Sequence, residues 1–162
     1  MQGASWAAGR WAEPRLASRW AVPGAIRAAP DQEGRPAAAA TARRLLIVED
    51  DWLIAAQIQA CLESAGYEVV GHATDEWDAL ALAEQGRPDL VLMDIRLQGG
   101  GDGIAAAARI RDRLAIPTIY VSAHTDPATV DRARPSRPMG WVQKPFTDSE
   151  LLEAVAGALA AP

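Results

Sequence analysis

Leu45-Leu46-Ile47-Val48-Glu49-Asp50-Asp51, LLIVEDD, sets four β-favouring apolar residues directly against three acids. A continuous apolar run has no polar side to show to water. It suits a strand buried on both faces, as in a parallel sheet covered by helices. The acids that follow put charge at the carboxyl end of that strand.

Outward from this run the same alternation repeats. Asp51 is placed to cap a helix carrying Ile54, Ile58, Cys61 and Leu62, and Gly66 to stop it. Val69-Val70 predicts a second strand, and Trp77, Leu80 and Ala81 lie on a second helix ending near Gly86. Leu90 to Met93 forms the third strand, and Gly99 to Gly101 a flexible loop before a helix from Asp102, its capping residue, to Arg113. Pro117 to Val121 is the fourth strand, and a short helix opens at Asp126-Pro127 and closes at Pro135. Trp141-Val142 is the fifth strand, and Thr147 to Glu150 caps a last helix with Leu151, Leu152, Val155 and Leu159. Strands alternating with helices predict an α/β fold, a doubly wound five-stranded parallel sheet. In such sheets ligands bind beyond the carboxyl ends of the strands.

The 162 residues suffice for one domain with a real core. A single cysteine, Cys61, excludes an internal disulfide and fits a reducing, cytoplasmic setting. No apolar run approaches the roughly 20 residues that span a bilayer, so no membrane partner is expected. Net charge is −5, yet residues 1–44 hold seven arginines against Glu13, Asp31 and Glu33, which leaves the remainder strongly acidic. That balance argues against a nucleic-acid surface on the folded part. Residues 1–42 lack periodicity, are interrupted by Pro14, Pro23, Pro30 and Pro36, and carry Trp6, Trp11 and Trp20. They read as a disordered or weakly structured N-terminal tail, with the domain at 43–160.

The strand ends carry the chemistry. Glu49 and Asp50 follow the first strand, Asp94 the third, Ser122 the fourth and Lys144 the fifth. Lys144 is the one lysine among sixteen basic residues. Two carboxylates about 4 Å apart repel by roughly 4 kcal/mol at an effective dielectric near 20, so the acids need cations. A divalent ion and Lys144 would balance Glu49, Asp50 and Asp94, and an all-oxygen set with room for water favours Mg²⁺. A compact ammonium reaches such a pocket better than a broad guanidinium.

At these residues the chain resembles the receiver domains of bacterial two-component response regulators. The matching pieces are LLIVEDD, PDLVLMDIRL, DGI, PTIYVSAH and KPF, spread from Leu45 to Leu159. The resemblance implies a flavodoxin-like receiver fold with strand order 2-1-3-4-5. It makes Asp94 the phosphoacceptor for a phosphoryl group from a sensor histidine kinase or phosphotransfer protein. It implies Mg²⁺ held by Glu49, Asp50 and Asp94 with the backbone carbonyl of Arg96, Asp50 being a direct ligand. Ser122 and Lys144 would receive the phosphoryl oxygens, and the Lys144–Pro145 bond would be cis. The implied product is a phosphorylation switch, not an enzyme, without an output domain. It would signal to an unknown protein target through its helix 4–strand 5–helix 5 face.

Trp141 stands where the family usually has tyrosine or phenylalanine as a switching ring. Indole carries an N–H that needs a partner when buried, so an inward ring and an exposed platform both stay open. His72 and His124 are placed after the second and fourth strands, too far apart for a metal pair. A phosphate-independent scaffold is disfavoured by the intact acid, hydroxyl and lysine set. An aspartate-nucleophile phosphatase would want an acid at the position of Arg96, and a flavin carrier would want a Ser/Thr-rich loop after the first strand.

Overall fold

The computed structural model describes residues 42–161, and the predicted tail over 1–42 therefore lies almost wholly outside the described residues. Five parallel strands form the sheet: β1 (Arg44–Val48), β2 (Glu68–Ala73), β3 (Leu90–Met93), β4 (Thr118–Ser122) and β5 (Gly140–Gln143). Their order is β2-β1-β3-β4-β5, as the family resemblance implied. Four helices connect them, α1 (Trp52–Ser64), α2 (Glu76–Gly86), α3 (Gly103–Leu114) and α4 (Pro127–Ala133), and α5 (Asp148–Ala160) follows the last strand.

The apolar run at residues 45–48 shows why both faces are covered. Leu46 and Val48 pack with Ala79, Ala83, Ala107 and Ile110 of α2 and α3. Leu45 and Ile47 pack with Ile58, Leu62, Leu151 and Val155 of α1 and α5. Period-two alternation thus sends successive side chains into two separate cores. Each fully buried Leu or Ile contributes about 1.5–3 kcal/mol relative to an exposed one.

Helix starts follow the local chemistry. Asp51 accepts hydrogen bonds from the Leu53 and Ile54 N–H groups, and Asp102 from that of Ile104. Thr147 and Glu150 form a reciprocal capping box at α5. After α1, Gly66 takes φ +87°, where an L side chain would be strained.

Two local expectations change, and the structure adds which face of α2 is buried. Residues 99–101 are not a free loop. One 3₁₀ turn over Gln98–Gly100, with Gly99 and Gly100 at positive φ, closes a small antiparallel ribbon pairing Arg96–Leu97 with Gly101–Asp102. On α2 the buried positions are Ala79 and Ala83, while Trp77 is 68% exposed and lies under the guanidinium of Arg109. The second strand runs to Ala73, so His72 sits within it.

Candidate functional site

Parallel register brings the strand ends into line. Val48 pairs with Met93, so Glu49 and Asp94 emerge side by side, and Ser122 pairs with Gln143, one residue before Lys144. The Asp94 N–H donates to Val48 O at 2.8 Å and the Lys144 N–H to Ser122 O at 3.1 Å, which extends the ladder to the site residues. The Lys144–Pro145 peptide is cis, as the resemblance implied.

The side chains meet. Lys144 Nζ donates to Glu49 Oε2 at 2.5 Å and to Asp94 Oδ2 at 2.7 Å. Ser122 Oγ donates to Asp94 Oδ1 at 2.8 Å, and the Arg96 N–H reaches the same oxygen at 3.3 Å. Glu49 is 2% exposed and Ser122 is fully buried, whereas Asp50 is half-buried at the rim. One ammonium therefore bridges two acids from separate strands. A two-pronged guanidinium has no such single point of charge to offer.

Electrostatics match this geometry. Burial raises the Glu49 carboxyl above its usual range, against the opposing pull of the Lys144 ammonium and the Asp51 N–H. Burial works to lower Lys144, but the carboxylates of Asp94 and Glu49 outweigh it and hold the ammonium above its ordinary value. Lys144 is thus charged throughout the neutral range.

Glu49, Asp50 and Asp94 each offer a carboxylate oxygen, all within 4.8 Å of one another. An acidic cluster of oxygen donors beside a single ammonium leaves uncompensated negative charge, and its donor type suits a hard divalent cation. The residues present fit Mg²⁺.

The remaining singled-out residues fall into place around this centre. Asp51 faces away as the α1 cap. Arg96 is held next to Asp94 by the ribbon in which it pairs with Asp102. His124 donates its main-chain N–H to Ser122 Oγ at 3.4 Å. Trp141 is half-buried against Tyr120, with ring centroids 4.9 Å apart, and its indole N–H is buried without a partner among the described residues. Tyr120 is in turn fixed by a 2.7 Å bond to Ser136, just past α4. Sequence reasoning gave no special place to Gly103 beyond its motif, nor to His72, whose Nε2 lies 2.6 Å from Glu49 O.

The response regulator receiver domain family matches residues 45–156. The transcriptional regulatory protein PdtaR of Mycobacterium tuberculosis is 40% identical over 117 residues, 72% of this chain and 57% of that protein. The phyllosphere-induced regulator PhyR of Methylorubrum extorquens is 33% identical over 130 residues, 80% of this chain and 48% of that protein. The chain thus spans about half the length of these curated relatives. Among solved structures, the signal receiver domain of a modulated diguanylate cyclase from Desulfovibrio desulfuricans G20 is similar. It superposes with a TM-score of 0.68 at 36% identity, covering 73% of this chain and 94% of that one. The family match runs from the first strand into the last helix and encloses every residue of the acidic pocket. The chain belongs to the response regulator receiver domain family, signalling modules of two-component systems rather than enzymes.

Proposed function

We propose that this domain, bounded at about residues 43–160, is a phosphorylation switch that accepts a phosphoryl group on Asp94. The donor is the phosphohistidine of a sensor histidine kinase or phosphotransfer protein, and the setting is cytoplasmic. The observation that carries the reading is the convergence on Asp94 of the Ser122 hydroxyl and the Lys144 ammonium, beside the acid pair Glu49 and Asp50.

In the transfer an Asp94 carboxylate oxygen attacks phosphorus. The new P–O bond forms as the P–N bond of the phosphoimidazole breaks, and its electron pair stays on the ring nitrogen. The pocket contributes position and fixed charge, as phosphoryl transfer requires. Lys144, already aimed at Asp94 Oδ2, neutralises charge that arrives on the phosphoryl oxygens. Ser122 can redirect its hydroxyl from Asp94 Oδ1 to one of those oxygens. Glu49, Asp50, Asp94 and the Arg96 carbonyl would hold Mg²⁺, which supplies charge neutralisation when bound. Within the Glu49–Asp50 pair, Glu49 is engaged by Lys144, which favours the more exposed Asp50 as the direct ligand.

Movement of Ser122 has a route outward. Tyr120 lies two residues back on β4, packs on Trp141 of β5 and is bonded to Ser136 after α4. We assign the output to the α4–β5–α5 face, read by a downstream protein, with Trp141 as the ring that reports the shift.

Incubation with acetyl phosphate and Mg²⁺, read by intact mass, tests the chemistry without a kinase. One added phosphoryl group is expected on the wild type and none on Asp94→Ala. An alanine variant that still gained the mass would overturn the assignment.

A further inference from the structure

The main chain of Glu49 is tied to β2 at both of its polar groups. Its N–H donates to Ala73 O at 2.9 Å, one more rung of the β1–β2 ladder. Its carbonyl oxygen lies 2.6 Å from His72 Nε2. A carbonyl can only accept, so the proton must sit on Nε2 of the ring. By this point β2 has ended and the chain is turning into α2, whose N-cap is Asp75. A side chain therefore satisfies the oxygen just where the backbone ladder stops.

The Glu49 carbonyl belongs to the peptide unit that joins Glu49 to Asp50. Glu49 has its carboxylate held by Lys144 and by the Asp51 N–H. The direction in which the half-buried Asp50 carboxylate leaves the chain follows from how that peptide plane is set. We infer that His72 is a positioning residue for the metal site. Its Nε2–H fixes the Glu49–Asp50 peptide, and with it the aim of Asp50. The inference rests on the proposed reading of Glu49, Asp50 and Asp94 as the acids that take Mg²⁺. His72 otherwise presents its ring to solvent from an edge strand, so nothing in the core needs an imidazole there.

The test uses the full chain as wild type, His72→Phe and His72→Gln. Phenylalanine keeps a ring but has no donor, whereas glutamine can place an N–H near the position of Nε2. Mg²⁺ binding is measured by calorimetry and apo stability by thermal melting, and the wild-type His72 ring is examined by ¹⁵N NMR. His72→Phe is expected to weaken Mg²⁺ binding by about tenfold, the lower end of what a partner behind a metal ligand contributes. His72→Gln is expected to restore most of it, with both apo melting temperatures close to wild type and the wild-type ring in its Nε2–H form. Unchanged Mg²⁺ affinity in His72→Phe, failure of glutamine to rescue, or an Nδ1–H tautomer would each overturn the inference while leaving the phosphoacceptor reading intact. Absence of Mg²⁺ binding by the wild type would instead remove the metal reading itself, and this inference with it.

Discussion

Gly103 is the residue whose replacement should separate fold from site most sharply. It opens α3 beside the end of β3, and its N–H donates to Ile95 O at 2.9 Å. A Cβ built there would lie 1.8 Å from the Asp94 carbonyl oxygen and 2.9 Å from its carbon. Real Cβ contacts essentially never fall below 3.0 Å, so Gly103→Ala forces the two backbones apart by more than about 1 Å. Neither neighbour is a flexible side-chain tip, which puts the cost toward the upper end of the ~1–3 kcal/mol typical of overpacking. For a domain of this size that corresponds to a fall in melting temperature of roughly 8–12 °C. The displaced backbone carries Asp94, and a misplacement of about 1 Å can cost on the order of 10²-fold in rate. Circular-dichroism melting and time-resolved intact mass with acetyl phosphate and Mg²⁺ read the two effects. Gly157→Ala is the control. That glycine is in mid-helix with open space where a Cβ would go, so alanine should add about 0.5–1 kcal/mol of stability and leave uptake unchanged. A Gly103→Ala protein that melted within about 2 °C of wild type and took up phosphoryl groups at the same rate would refute the reasoning.

Three further outcomes are expected. Lys144→Arg should keep Mg²⁺ binding and phosphoryl uptake but blunt the tryptophan fluorescence change on adding a beryllofluoride mimic, because a planar fork cannot replace one nitrogen shared by Glu49 and Asp94; a full wild-type response would sink this. Thr147→Ala breaks the capping box of α5 and should cost about 1 kcal/mol in denaturant melts with no change in phosphoryl uptake, and an unchanged midpoint would argue against it. A chain beginning at Arg43 should accept the phosphoryl group at the full-length rate, and slower uptake on intact-mass time courses would assign residues 1–42 a part in the site.

Much of this arrangement was legible because it is written in short-range chemistry. Residues 45–48 and 90–93 are apolar without interruption because both of their faces are covered. Asp51, Asp102 and Thr147 cap the helices they precede because a side-chain oxygen can reach N–H groups two or three residues ahead. The acids at strand ends were readable by topology alone. What escaped was decided by neighbours distant in sequence. Gly71 and His72 dilute the apolar signal of β2, which hid its true end and the contact of His72 with Glu49. The ribbon beside Asp94 is a backbone pairing across glycines, which carry no side-chain pattern. Whether Trp141 faces in or out depends on the ring of Tyr120 in the next strand, and no spacing rule encodes that.

The three polar bonds at the centre of the pocket join residues 28, 50 and 95 positions apart in the chain. Contacts of such separation form only after the intervening segments have closed, and closing them costs chain entropy that no local turn repays. Lys144 arrives from an edge strand, so β5 must dock through β4 onto β3 before Asp94 has its ammonium, and β1 must join the same sheet before Glu49 shares it. On the proposed reading of Asp94 as phosphoacceptor, a partly folded molecule, or a nascent chain not yet released past β5, would hold the aspartate without the charge that readies it. On the proposed reading, uptake of a phosphoryl group would therefore report that the whole domain has folded.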